Sequence, residues 1–130
     1  MAGGDAAKPS PYKLRFARRA SGRYPANEYL EQLAIKDRDS FDKFTRLFER
    51  FEKDGPDALG RAYKALEGQG GIVEFTIWKQ RILGFRVGNE VFLTNGFKKD
   101  KDETPPEELT RAHNVKAEHQ QQSAGGGKKK

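Results

Sequence analysis

The 130-residue chain has no cysteine, one methionine, one tryptophan and two histidines. Without cysteine, disulfides and thiolate metal sites are excluded, which fits a reducing cytoplasm. No apolar run approaches the ~20 residues that a membrane-crossing helix needs. Residues 1–10 also lack the apolar core of a secretory signal. A soluble, cytoplasmic protein without a membrane partner is therefore expected. Carboxylates and imidazoles do not cluster at a metal-ligand spacing, so the sequence calls for no metal and no cofactor. Large apolar side chains are missing from residues 2–10 and again from 117–130. Segments this polar bury too little surface to offset the entropy of ordering. Residues 1–10 and 117–130 are thus expected to be disordered tails, the second basic at its tip. Between them, residues 11–116 form one domain; at roughly 100 residues it has room for one modest core.

Acidic residues are scarce in one place only. From residue 6 to residue 27 the chain carries Lys8, Lys13, Arg15, Arg18, Arg19 and Arg23 and no acid. Such a run is either a solvated face or a site for a polyanion. The overall +6 is a weaker signal, because residues 11–110 hold nineteen basic and seventeen acidic side chains, a net +2.

Hydrophobic periodicity supplies the elements. In YKLRFAR, residues 12–18, Tyr12, Leu14 and Phe16 alternate with Lys13 and Arg15, the period of a strand with one wet face. Ser21-Gly22 is a turn, and Pro25 suits the first position of a helix. A joint near Lys36-Asp37 separates a second helix, capped by Asp39 or Ser40, whose Phe41, Phe44, Leu47, Phe48 and Phe51 form one stripe. Gly55-Pro56 ends it. Three strands follow, Ile72–Ile77, Arg81–Val87 and Val91–Phe97, with a tight hairpin at Gly88-Asn89. Thr104-Pro105-Pro106-Glu107-Glu108 opens a last helix over 106–120. Its stripe is only Leu109, Ala112 and Val115, so it is expected to pack weakly or to await a partner. The order β-α-α-β-β-β-α makes an α+β domain with a small, mainly antiparallel sheet, two helices on one face and a C-terminal helix.

This layout resembles the RelE/ParE superfamily of bacterial toxins, and within it the HigB-type, phage-derived toxin-like proteins. The resemblance runs from Tyr12 to Lys116. It rests on PANEYL at 25–30, Gly55, and Lys64, Leu66, Gly68 and Gly71 leading into the sheet. It continues through Glu74, Arg81, Val91–Leu93, Gly96-Phe97-Lys98-Lys99, Thr104-Pro105, Glu107, Glu108 and Ala112. It implies a type II toxin–antitoxin toxin that cleaves mRNA on the ribosome. The implied partners are that mRNA and a cognate antitoxin with a helix-turn-helix. The alternative is a non-catalytic module, a ParE-like gyrase inhibitor or a phage-derived relic that binds an antitoxin.

Metal-free RNA cleavage turns the 2′-hydroxyl against the adjacent phosphate and needs cations plus proton donors and acceptors. Arg81, Lys98 and Lys99 are the candidate catalytic residues. Lys13, Arg15, Arg61, Lys64, Trp78 and Arg86 are the candidate RNA contacts. Two have rival roles: Arg81 as the cross-strand partner of Glu74, and Trp78 as an aromatic shielding the sheet edge. Where related toxins carry a proton-exchanging His and Tyr, this chain has Asn95 and Gly84. His113 and His119 read as surface residues of the last helix.

Overall fold

The computed structural model describes residues 11–100 and 103–128, the last six of these as backbone only. Its elements are β1 (Lys13–Phe16), α1 (Pro25–Lys36), α2 (Arg38–Asp54), a 3-10 helix (Pro56–Ala62), β2 (Tyr63–Ala65), β3 (Ile72–Ile77), β4 (Gln80–Val87), β5 (Glu90–Lys98) and α3 (Pro106–Lys128). The expected α+β order holds. The segment before β3 adds two elements to it, the 3-10 turn and the three-residue β2.

The five strands lie in the order β1-β5-β4-β3-β2. Every pairing is antiparallel except the edge pair β1–β5, where Lys13 stands opposite Glu90 and Phe16 opposite Leu93. One face is covered by α1 and α2. There Leu30, Leu33, Phe44 and Phe51 meet Val73, Phe75, Ile82, Val91 and Leu93. The phenylalanine stripe is core, as its spacing requires; Phe44 and Phe51 are fully buried. Asp37, rather than Asp39 or Ser40, caps α2. Its carboxylate accepts the Ser40 N–H at 3.2 Å and the Ser40 hydroxyl at 2.6 Å.

A bulge in β5 sets which residues face which layer. The β4–β5 register steps from Leu83–Asn95 to Gly84–Leu93, leaving Thr94 as the extra residue. One inserted residue flips the phase of all that follow. Val91 and Leu93 therefore face α1 and α2, whereas Phe97 joins Ile72, Leu83 and Phe85 on the opposite side. Gly96 is left facing α1, where the Tyr29 ring lies across it. A Cβ at Gly96 would come within 2.2 Å of that ring.

The second face belongs to α3, and here two expectations fail. Ala112 and Val115 are fully buried against the sheet, so the helix packs firmly despite its thin stripe. Residues 117–128 are helical rather than a disordered tail. Polar anchors, not apolar area, hold that extension. Glu118 accepts from Arg19 Nη2 at 2.8 Å, Arg19 Nε at 3.1 Å and the Ala20 N–H at 2.8 Å. The His119 ring lies 4.9 Å from that of Phe92, and its Nδ1 accepts the Arg18 N–H at 2.9 Å. Gln122 accepts from Arg18 Nη1 and donates to the Arg18 carbonyl. The tail expected at residues 1–10 lies outside the described residues.

Candidate nucleic-acid interface

Four of the nine residues singled out from the sequence come together at one end of the sheet. Ile77 pairs with Gln80, so Trp78 and Lys79 are the whole β3–β4 turn. Trp78 takes a φ of 52°, the only positive φ of a non-glycine among the described residues, and is 60% exposed. Arg81 Nη1 donates to the Trp78 carbonyl at 2.5 Å and the Gln80 carbonyl at 3.0 Å. Lys98 is exposed, opposite Gln80. The Lys99 N–H donates to the Lys79 carbonyl at 2.7 Å, but its side chain is buried. One neighbour had no sequence signal. Lys43 reaches over from α2, its Nζ 5.2 Å from the Trp78 ring centre.

The other five stand apart. Lys13 and Arg15 lie at the Glu90 end of β5, and nine residues of strand put roughly 25 Å between that end and Lys98. Arg15 is 3.6 Å from Glu90, and Arg86 Nε donates to the Gly88 carbonyl at 2.7 Å. Arg61 and Lys64 sit by the opposite edge, with Lys64 3.9 Å from Glu74. A single constellation of all nine does not form. Nor is Arg81 the partner of Glu74. Arg81 is in register with Thr76, and the buried Glu74 carboxylate accepts the Thr104 hydroxyl at 2.8 Å.

The basic run of residues 13–23 is largely occupied. Besides Arg15, Arg19 is tied to Glu118 and Arg23 to Glu28, while Arg18 bonds Gln122. Arg19 and Arg23 line a polar cleft of about 670 Å³ with Tyr29, Asn95, Gly96 and Arg111, but their charges are already answered there.

The family model for Phage derived protein Gp49-like (DUF891) matches residues 28–117, from α1 into α3. The chain belongs to that family. The family is associated with RelE and toxin-like proteins, and the α+β sheet is consistent with a RelE-like fold. No curated protein matches the chain.

In this Gp49-like chain the two questioned positions are structural. Asn95 is fully buried; its Nδ2 donates to Glu108 Oε1 at 3.0 Å and to the Glu108 carbonyl at 3.3 Å. Its Oδ1 accepts the Thr94 hydroxyl at 2.7 Å. It ties the bulge to the first turn of α3. At Gly84 a Cβ would lie 2.8 Å from the Phe92 carbonyl oxygen, so no larger side chain fits there without movement. His113 bonds Gln69 at 3.1 Å, and burial lowers the pKa of His119, favouring the neutral ring. Neither is a free surface residue. Tyr29 donates its hydroxyl to Gln80. Burial first, then the charges of Asp37 and Glu108, push its pKa up to about 12. Two hydrogen bonds from Ser40 lead the lowering of Asp37, with the Lys98 charge a lesser cause. No helix among the described residues is long and apolar enough to cross a membrane.

Proposed function

We propose that this protein is the toxin of a type II toxin–antitoxin pair, of HigB type, and that it acts on mRNA at the ribosome. The observation that carries the reading is the Gp49-like match over 28–117 on a RelE-like sheet. The working surface is the Trp78–Lys98 end of that sheet. In the chemistry proposed, the 2′-hydroxyl gives its proton to solvent water as its oxygen attacks the adjacent phosphorus, a 2′,3′-cyclic phosphate forms and the bond to the 5′-oxygen breaks. Lys98 and Arg81 balance the added negative charge, and Lys98 protonates the leaving oxygen. The partner is an antitoxin with a helix-turn-helix, whose co-purification with the chain tests the pairing.

Controlled expression tests the activity. Growth arrest with new cuts inside translated mRNA, both lost in the Lys98→Ala, Arg81→Ala double variant, supports it. A second reading has its own support in the structure: Asn95 is locked to Glu108 and Gly84 has no room for a side chain. These features favour a toxin-like module that binds without cutting. Intact transcripts with inhibited gyrase would select its ParE-like form, and unaffected growth a relic.

A further inference from the structure

We infer that the β3–β4 hairpin tip is a stacking subsite for single-stranded RNA, with Trp78 supporting one unpaired base and Lys43, Lys79 and Lys98 holding the neighbouring phosphates. This rests on the reading of the protein as an RNA-directed toxin and states how that RNA is gripped.

The turn itself points to a use outside the fold. With a positive φ at Trp78 and none at Lys79, it follows the type II′ pattern, whose first central position suits glycine. A bulky side chain there is held in a strained conformation, and such outliers persist where something else requires them. Burial does not supply the requirement, because 60% of the residue is exposed. An aromatic kept to shield a sheet edge would show the opposite.

The surroundings indicate the ligand. Lys43 lies over one face of the indole from α2, so a base would stack on the other; Lys79 is the next residue of the turn, and Lys98 is exposed on the adjoining strand. Lys43, Lys79 and Lys98 form no ion pair among the described residues. Of the carboxylates around this end, Asp37 is held by Ser40, and Asp100, Glu103, Glu107 and Glu108 share a cleft with Lys98 without pairing with it at ion-pair distance. Arg81 fastens the turn through two carbonyls, so the ring is presented on a rigid base. An exposed π face flanked by cations matches an unpaired base and its phosphates. Duplex bases, stacked on one another, offer no such face.

Trp78 is the only tryptophan of the chain, so its emission reads this site alone. The full-length protein is titrated with a single-stranded oligouridylate, following tryptophan emission and, in parallel, the anisotropy of labelled RNA. Saturable quenching that weakens with added salt is expected. Trp78→Gly should lower the affinity roughly ten- to hundred-fold. Its melting temperature should hold or rise, since glycine suits the turn. Trp78→Phe should keep most of the affinity, and Lys43→Ala should lose a few-fold. The inference is overturned by RNA binding that leaves emission unchanged, by wild-type affinity in Trp78→Gly, or by equal quenching with duplex DNA. A sharply lower melting temperature in Trp78→Gly also overturns it, because the indole would then be structural. Quenching without growth arrest keeps the subsite and removes the toxin reading; arrest without quenching does the reverse.

Discussion

Two basic regions of this molecule look alike in composition and differ in what they can bind. Along the chain, residues 13–23 are the densest stretch of cations. In the folded protein Arg15, Arg19 and Arg23 face Glu90, Glu118 and Glu28, and Arg18 anchors Gln122. The hairpin end draws Lys43, Lys79, Arg81 and Lys98 from three elements and a turn, and its lysines meet no carboxylate at ion-pair distance among the described residues. Charge that is clustered in sequence is answered within the fold, Arg18 and Arg19 fastening α3 and Arg15 and Arg23 pairing with β5 and α1. Charge that is assembled by the fold was left for solvent or a ligand.

The largest expected effect separates the two regions by activity. Lys98→Ala with Arg81→Ala should abolish growth arrest and slow RNA cleavage by about 100-fold or more, the scale of losing a preorganised charge partner. Arg15→Ala should leave both intact. Arrest that survives the first change and fails with the second would reverse the comparison.

Next come the supports of the hairpin end. Gly96→Val places a side chain where the Tyr29 ring already lies, so α1 must shift. Chemical denaturation should show a loss of about 3 kcal/mol or more, the upper range for overpacking. Asn95→Ala removes the amide that binds Glu108 and accepts from Thr94. The expected cost is about 1–3 kcal/mol, the scale of stranding buried polar partners. A neutral result at Asn95 would reopen it as a functional position.

The paired region should respond to acid instead. The hydrogen bonds from the Arg19 side chain, then the Ala20 N–H, hold Glu118 down to about 2 from an ordinary 4.5. A depressed folded pKa stabilises fully above the unfolded value, and this contribution fades as pH falls from about 4.5 toward 2. Melting curves across that window should therefore fall less steeply for Glu118→Gln than for the parent chain. The smallest effect is expected from Arg15→Ala. Its pairing with Glu90 is solvent-exposed at 3.6 Å, and its removal should change stability by less than about 1 kcal/mol.

Much of this was legible where neighbours in sequence are neighbours in space. The Phe41–Phe51 stripe, the Pro25 helix start, the Gly88-Asn89 hairpin and the alternation of β1 are local patterns, and each stands as read. The α3 extension was not legible, because its anchors lie about 100 residues earlier and are polar. The candidate site was legible in part. Arg81 and Lys98 lie on adjoining strands beside the turn that holds Trp78, and the Lys99 N–H meets that turn, while Lys43 carries no mark in its own helix.

By itself the sequence determined the class of fold, the helix and strand periods and the family, since backbone preference and side-chain alternation act over a few residues. Only the tertiary structure decided which charges are spent. It placed Glu118 on Arg19, turned Phe97 to the far face through the Thr94 bulge, closed Tyr29 over Gly96 and set Lys43 beside Trp78. Each of these is a contact between distant residues, and its energy exists only once the chain has brought them together.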